Sequence, residues 1–415
     1  MNRICCYSRQ TLGCVGCGKC CGAWAVPVSE EERRKIMALP LVGLPLPVEQ
    51  CFERRRGGWY LKKKNRHCIF LDEEKKCRIH TQFGLEAKPL TCRLYPLDVW
   101  SWSDGSVSAS LRCDCPAAAA GAGEELRRFK AQILQFAEEL KKRRPSPADA
   151  EYSPVIAPLV ERLREIAAAY EKILTEESVP MKIRFFAAVC LIHFHMDKKN
   201  SDDILEAEEF GKDAFAFFKR SLPNLEHCLK ELPMTLRKDV QVAFRCLLWG
   251  FLRADESVSL RSRIVSTVAS LRFLLGGGSL KHSPARLNIT GNRLFRAMRS
   301  CKPAPNAFLP YLRFLRGRLE SLHFCGTPVH GLSFEEGMLY LAVSYPVMYA
   351  LASVHALERG SFRFEETDVI RSLVLLDHGF LRTRLYSLSS MKASLRKVTV
   401  EENFAALLGC CSEPE

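Results

Sequence analysis

Residues 13–22 read Gly13-Cys14-Val15-Gly16-Cys17-Gly18-Lys19-Cys20-Cys21-Gly22, four cysteines in the pattern C-x2-C-x2-C-C with glycines between and around them. This stretch decides how the first part of the chain folds. A loop so short cannot bury an apolar face, so its sulfurs must organise it. C-x2-C spacing lets two thiolates meet at one metal. Gly13, Gly16, Gly18 and Gly22 permit the positive-φ turns that aim successive side chains at one point. Lys19 beside the thiols favours the thiolate form. Thiolates select zinc, copper(I) or iron–sulfur clusters.

Further thiols follow at Cys68, Cys77, Cys92 and the close pair Cys113 and Cys115, so that twelve of the nineteen cysteines fall within the first 115 residues. The candidate metal ligands are Cys14, Cys17, Cys20, Cys21, Cys68, Cys77 and Cys92, with Cys113 and Cys115 as further candidates. A structural zinc takes four ligands. Nine thiols allow two zincs, or one iron–sulfur cluster with accessory sulfurs. The same spacing suits a zinc-stapled module with no chemistry of its own, and both readings stand at this point. Cys5, Cys6 and Cys51 lack the spacing and read as bystanders. Cys190, Cys228, Cys246, Cys301 and Cys325 lie in apolar helical contexts, where free cysteine is a small core residue. Cys410 and Cys411 read as an inert tail pair.

Around the thiols the pattern is short and mixed. Ser29-Glu-Glu-Glu32 has the form of a capping box opening a helix to Leu39. Leu39 to Pro47, with three prolines, should turn or extend. Trp59-Tyr-Leu-Lys and Cys68-Ile-Phe-Leu read as strands, with Asp72 to Lys76 a charged turn. Tyr95 to Trp102 and Ser106 to Arg112 form a hairpin about Asp104-Gly105. From Gly123 the pattern turns helical: Glu124 to Arg144, then stretches near 154–175, 180–197, 202–221, 224–231, 235–253, 257–275, 305–323, 333–357, 365–376 and 380–394. Gly276-Gly277-Gly278-Ser279 reads as a flexible break. The expected fold class is therefore α+β: a small irregular Cys-rich metal-binding module over 1–120, a helical domain over 121–278 and a C-terminal helical region over 279–415.

At 415 residues the chain is long enough for real cores, and 47% apolar with 26% charged content is that of a globular protein. Met1 to Gln10 carries Arg3, Cys5, Cys6 and Arg9 without an apolar core segment, so a cytoplasmic location with reduced thiols is expected. Gly337 to Leu357 has the length of a membrane span, but its polar residues and Pro346 favour a buried helix. A formal charge of +14 favours acidic partners. Its runs at 54–56, 62–64 and 141–144 read as solvated faces, and no nucleic-acid-binding motif accompanies them. His193-Phe-His195 places its two rings on different helix sides. There is no P-loop, G-x-S-x-G, H-E-x-x-H or strand-borne G-x-G-x-x-G.

The run Cys14 to Cys21, followed by Gly-Ala-Trp24-Ala-Val, Cys68-Ile-Phe-Leu, Cys77-Arg-Ile-His80 and Lys88-Pro-Leu-Thr-Cys92-Arg-Leu-Tyr-Pro96, resembles the YkgJ-type cysteine-cluster family, described as a zinc- or iron-chelating domain. The resemblance covers about residues 12–116. Trp24 and the chain length favour its long branch, which includes the flagellin lysine-N-methylases. That branch implies a 4Fe–4S cluster protein that uses S-adenosylmethionine to methylate lysine on a protein substrate, flagellin or another surface protein. Zinc is the alternative metal, and a non-catalytic chelating interaction protein the alternative function. Arg93 and Tyr95, flanking Cys92, are the candidate cofactor-binding residues; they could equally pack the metal loop. His80 stands where similar sequences have Tyr, and reads as a surface residue. The residues name no general base.

Overall fold

The computed structural model describes residues 10–23, 25–55, 57–65, 67–143, 157–200, 204–231, 235–252, 260–280 and 287–413. Cys5, Cys6, Trp24, Arg56 and residues 144–156 lie outside the described residues. In the Cys-rich head, chain order is β1 (Thr11–Leu12), α1 (Cys20–Ala23), β2 (Pro27–Val28), α2 (Glu30–Met37), β3 (Phe52–Arg55), β4 (Gly58–Leu61), β5 (Lys63–Lys64), β6 (His67–Cys68), α3 (Arg78–Phe83), α4 (Leu90–Leu94), β7 (Leu97–Ser101), β8 (Val107–Leu111), α5 (Pro116–Ala120), β9 (Glu124–Glu125) and α6 (Lys130–Arg143). The body follows as α7 (Ala157–Leu174), α8 (Met181–Asn200), α9 (Ile204–Glu231), α10 (Lys238–Phe251), α11 (Leu260–Leu274), α12 (Gly291–Ser300), β10 (Lys302–Pro303), α13 (Leu309–Ser321), α14 (Phe334–Glu358), β11 (Arg363–Phe364), α15 (Glu366–Gly379), α16 (Ser389–Thr399) and α17 (Glu401–Leu408). This is the expected α+β organisation, with small sheets confined mainly to the head.

The capping box forms: the Glu32 amide donates to Ser29 Oγ at 3.1 Å and the Ser29 amide to Glu32 Oε2 at 2.8 Å, which starts α2. β2, β4 and β3 make a three-stranded antiparallel sheet over a small core of Val26, Val28, Ile36, Phe52, Leu61, Phe70 and Ile79. The hairpin β7–β8 pairs Leu97 with Leu111 through Ser101 with Val107, and Gly105 takes the positive φ of +78° its turn requires. Its alternation serves two partners. Leu97, Val99, Val107, Ala109 and Leu111 pack with Ile133 and Phe136 of α6. Ser108 and Ser110 face the other way and clamp the buried His323 ring, at 2.9 Å to Nε2 and 2.7 Å to Nδ1.

At the centre of the body, α14 is apolar on every side, which is the mark of a helix enclosed by protein. Its most apolar stretch is long enough to cross a membrane by length and composition, and all of it is buried inside the body. Tyr345 stacks on Phe185 at 4.6 Å, and the Tyr311 and Ser344 hydroxyls lie 2.7 Å apart. Pro346 sits within the helix.

Several expectations change. Only Cys68 of the 68–71 stretch is strand; Ile69 and Phe70 turn inward to the head core, and Leu71 bridges Cys77 across the charged turn. Glu124 and Glu125 pair with Leu12 and Thr11 as a strand, so the helix begins only at Lys130. The helices expected on either side of Pro223 are one, α9. A proline inside a helix costs about 3 kcal/mol, which the packing of Leu222, Leu225 and Leu229 on the main core offsets. The Gly276–Ser279 break is a packed turn. A Cβ on Gly276 (φ +96°) would sit 2.0 Å from Asn292 Oδ1, and one on Gly278 2.5 Å from the Phe273 amide nitrogen. Residues on both sides of 278 share one apolar core, which runs from Cys113 to Cys411, so Cys410 and Cys411 are core residues and α17 precedes them. The 380–394 stretch is a short 3-10 turn at Arg384–Ser387 followed by α16.

Candidate metal centre

The loop that carries the cysteine run turns at Gly16 (φ +65°) and Gly18 (φ +66°); Gly22 is helical instead, within α1. A Cβ on Gly18 would stand 2.9 Å from Lys75 Cβ, so glycine there also admits the charged turn 72–76 against the loop. The Cys21 amide then donates to Gly18 O at 3.1 Å, and the short helix presents Cys20 and Cys21 with sulfurs 3.9 Å apart. Two thiolates bound to one tetrahedral zinc at about 2.3 Å would stand about 3.8 Å apart.

Three further elements carry cysteines that pack against the head core. β6 supplies Cys68, the residue before α3 supplies Cys77 and α4 supplies Cys92. Glu32 fixes α4, accepting from the Leu90 amide at 2.7 Å while Arg143 of α6 holds the same oxygen at 2.7 Å. Lys63 Nζ donates to Gly22 O at 2.9 Å and ties α1 to the β5–β6 ribbon.

The thiols act on one another electrostatically. Cys20 is lowered because the Cys21 thiol donates to it, and Cys21 is raised for the same reason, with Cys68 and Cys77 adding to the rise. Burial pushes Cys68 up to about 11, with Cys77 contributing. Burial likewise raises Cys92 well above the thiol range; Lys88 opposes, while Cys68, Cys77 and Cys20 add. The charges of Cys68 and Cys77 thus act on Cys21, and those of Cys20, Cys68 and Cys77 on Cys92, so their negative forms repel one another. A soft cation among them would relieve that repulsion, and thiol sulfur is the donor that zinc and iron–sulfur iron take. Among the described residues no group of three or more His, Cys, Asp or Glu side chains is arranged to hold a metal ion.

The other candidates separate. Cys14 is exposed and Cys17 half-buried. Burial raises Cys115, with Cys17 and Cys20 adding and backbone hydrogen bonds from Ala118 and Ala117 opposing. Cys113 points elsewhere: it is buried in the main core, and its amide donates to Asp377 Oδ2 at 2.6 Å. Cys51 belongs to the head core, with Sγ 3.5 Å from Pro47 O. His80 is exposed on α3.

Arg93 forks between two carboxylates, Glu86 at 2.7 Å and Glu139 at 2.5 Å, and lies 5.7 Å from the Phe136 ring. These contacts brace α4 against α6. Tyr95 donates to Asp114 Oδ1 at 3.3 Å, under the Arg112 guanidinium at 5.5 Å from its ring. Burial and the Asp114 charge raise its phenol, with Cys115 and Cys20 among the groups it faces.

Tyr95 also opens a polar junction to the body that spacing did not disclose. Asp114 binds Arg112 at 2.6 Å and His378 Nδ1 at 3.4 Å. Nearby, Asp377 pairs with Arg318 and, at 3.8 Å, with Arg382; Arg382 reaches Asp98 of β7 at 3.1 Å. Burial works against ionised Asp98, but Arg382, His323 and Arg318 hold it well below the carboxylate range; Asp114 is held down likewise, by His378 and Arg112. Burial pushes His323 down to about 4, so the ring is neutral between its two serines. An aspartate inside the apolar run of α15 was the one sequence signal for this junction.

No curated protein and no solved structure matches the chain. Residues 13–112 match the CxxCxxCC family, described as a "Putative zinc- or iron-chelating domain", which spans Cys14 to Cys92 and ends before Cys113.

Proposed function

We propose that the head chelates zinc or iron through Cys20, Cys21, Cys68, Cys77 and Cys92, with Cys14 and Cys17 on the loop that closes over them. The observation that carries this reading is the Cys20–Cys21 pair at the spacing of co-ligands, inside the stretch 13–112 that matches a zinc- or iron-chelating domain. The finer form of the proposal is a 4Fe–4S cluster and S-adenosylmethionine-dependent methylation of lysine on a protein substrate, flagellin or another surface protein, in the cytoplasm. It rests on Trp24 and the chain length, which favour the long branch of the cysteine-cluster family that residues 12–116 resemble. The cluster would supply iron able to hold the amino and carboxylate groups of the methionine part. Lys88, facing Cys20 and Cys92, would favour their thiolate forms, and Tyr95 would border the thiols on the body side.

A second reading has its own support. Arg93 is engaged by Glu86 and Glu139, and Tyr95 by Asp114, so both flanking residues already hold the protein together. That favours a zinc-stapled head on a helical docking body, without catalysis.

Purification without oxygen, with iron, zinc and acid-labile sulfide measured per chain, separates the two. Iron and sulfide in comparable amounts with absorption near roughly 400 nm would support the cluster, and S-adenosylmethionine binding would then be measured. Zinc without sulfide would remove the cluster and methylation readings and leave the stapled module.

A further inference from the structure

The basic run Lys62-Lys63-Lys64 is not uniformly a solvated face. Lys64 is exposed, while Lys63 is half-buried and turned toward the cysteine loop. In the β5–β6 ribbon Lys63 stands directly opposite Cys68. Residues opposite one another in an antiparallel pair project from the same face, so the lysine and the thiol leave the ribbon on one side. The Lys63 side chain then crosses to α1, which packs against β6, and its Nζ donates to Gly22 O at 2.9 Å. Gly22 directly follows Cys21, whose sulfur lies 3.9 Å from that of Cys20.

Two properties of this bond bear on the thiols. The first is geometric. α1 ends at Ala23, so the Gly22 carbonyl has no partner further along the helix. Lys63 supplies one from 41 positions away, at an entropic cost in side-chain freedom that a solvated lysine would not bear. The bond joins the element that carries Cys20 and Cys21 to the ribbon that carries Cys68. The second property is electrostatic. The Cys68 charge acts on Cys21, and burial raises Cys68 while the Lys63 ammonium opposes that rise. A full set of zinc-bound thiolates carries more negative charge than the ion cancels. A cation tied to the loop lowers the cost of assembling them.

We propose that Lys63 is a positioning residue of the chelating site: it holds the Cys20–Cys21 helix against the Cys68 ribbon and places a positive charge beside the thiolates that take the metal. The inference rests on the chelation reading above and adds to it a residue that is itself no metal ligand. Lys63 acts through the Gly22 carbonyl and through its charge. Groups that orient metal ligands from outside the coordination sphere typically cost about 10–100-fold in metal affinity when they are removed.

Zinc titration of the reduced full chain, in competition with a chromophoric chelator, tests it by comparing the natural chain with Lys63→Met, Lys63→Arg and Lys64→Met. Lys63→Met keeps an apolar stem but loses donor and charge, and should weaken zinc about 10–100-fold. Lys63→Arg keeps both and should recover most of that affinity. Lys64→Met removes the same charge from the neighbouring exposed position and should leave affinity unchanged. In the metal-free chain, hydrogen exchange at residues 20–23 should be faster in Lys63→Met than in the natural chain, with the protection of α14 retained. That pattern marks a lost tie rather than an unfolded protein. Equal zinc affinity of Lys63→Met and the natural chain, a matching loss in Lys64→Met, or a loss in Lys63→Arg as large as in Lys63→Met would overturn the inference and leave chelation standing. No zinc binding by the natural chain would overturn the chelation reading and the inference with it.

Discussion

Between residues 26 and 79 the head buries nine apolar side chains in its own core, among the described residues; in the body the single helix α14 buries twenty-one of its residues. The first number is too small to hold a fold without a cross-link, because a core of that size cannot offset the entropy of ordering its loops. The second belongs to a core that needs no cross-link. The two regions therefore use cysteine differently. In the head Cys68, Cys77 and Cys92 pack against the small core, and Cys20 and Cys21 pair on the neighbouring loop. In the body Cys301, Cys410 and Cys411 are simply small buried residues. The lesson is that a thiol's task is set by the apolar mass around it: where that mass is thin, sulfur takes over as the organising contact.

Removing the metal should break the comparison most visibly. Chelation, or Cys92→Ser, should cost the head about 10 kcal/mol, as for small metal-built domains. Hydrogen exchange would then show residues 26–112 losing protection while α14 keeps it; equal loss in both would make the head and body one folding unit.

Next comes the junction. Asp377→Ala leaves Arg318, whose side chain is 4% exposed, without its buried partner, and such a loss should cost about 3–5 kcal/mol in a urea melt. Acid acts on the same junction. Asp98 and Asp114 have folded values held below the unfolded one. Their contribution is complete above the unfolded value of about 3.9 and disappears as pH falls through the folded values. Burial holds His323 down to about 4, so protonation of the unfolded chain already erodes stability as pH falls through about 6.5; thermal melts should decline from there and drop more steeply below about pH 4.

A smaller effect sharpens the contrast in packing. A Cβ on Gly337 would lie 2.0 Å from Phe324 O, so Gly337→Ala should overpack α14 and cost about 1–3 kcal/mol. Gly16→Ala in the head meets nothing within 4 Å and bears only its positive φ, a cost of about 1–2 kcal/mol. It should weaken metal binding while leaving the melting of the body unchanged. Smallest is Ser29→Ala, which removes one cap of α2 for about 1 kcal/mol.

Much was legible because it is local. C-x2-C-x2-C-C, the Ser29 capping box, the Asp104-Gly105 hairpin and the apolar length of 337–357 each depend on neighbours within one or two turns of chain, and each is seen in the structure as a loop, a helix start, a turn and a buried helix. The continuity of α9 through Pro223 was not legible, because long-range packing outweighs a local penalty. Nor was the packed turn at 276–279, where glycine serves close approach to Asn292 rather than flexibility.

By itself, the sequence determined that thiols organise the first part of this protein and that helices make up the rest, since short-range spacing and periodicity encode both. Only the tertiary structure decided that the Cys20 and Cys21 sulfurs pair, that the Cys113 amide binds Asp377, and that Arg93 and Tyr95 are held by carboxylates. Those pairings join residues up to 264 positions apart. They exist because burying a charge or a ring requires a partner, and only the folded chain brings that partner within reach.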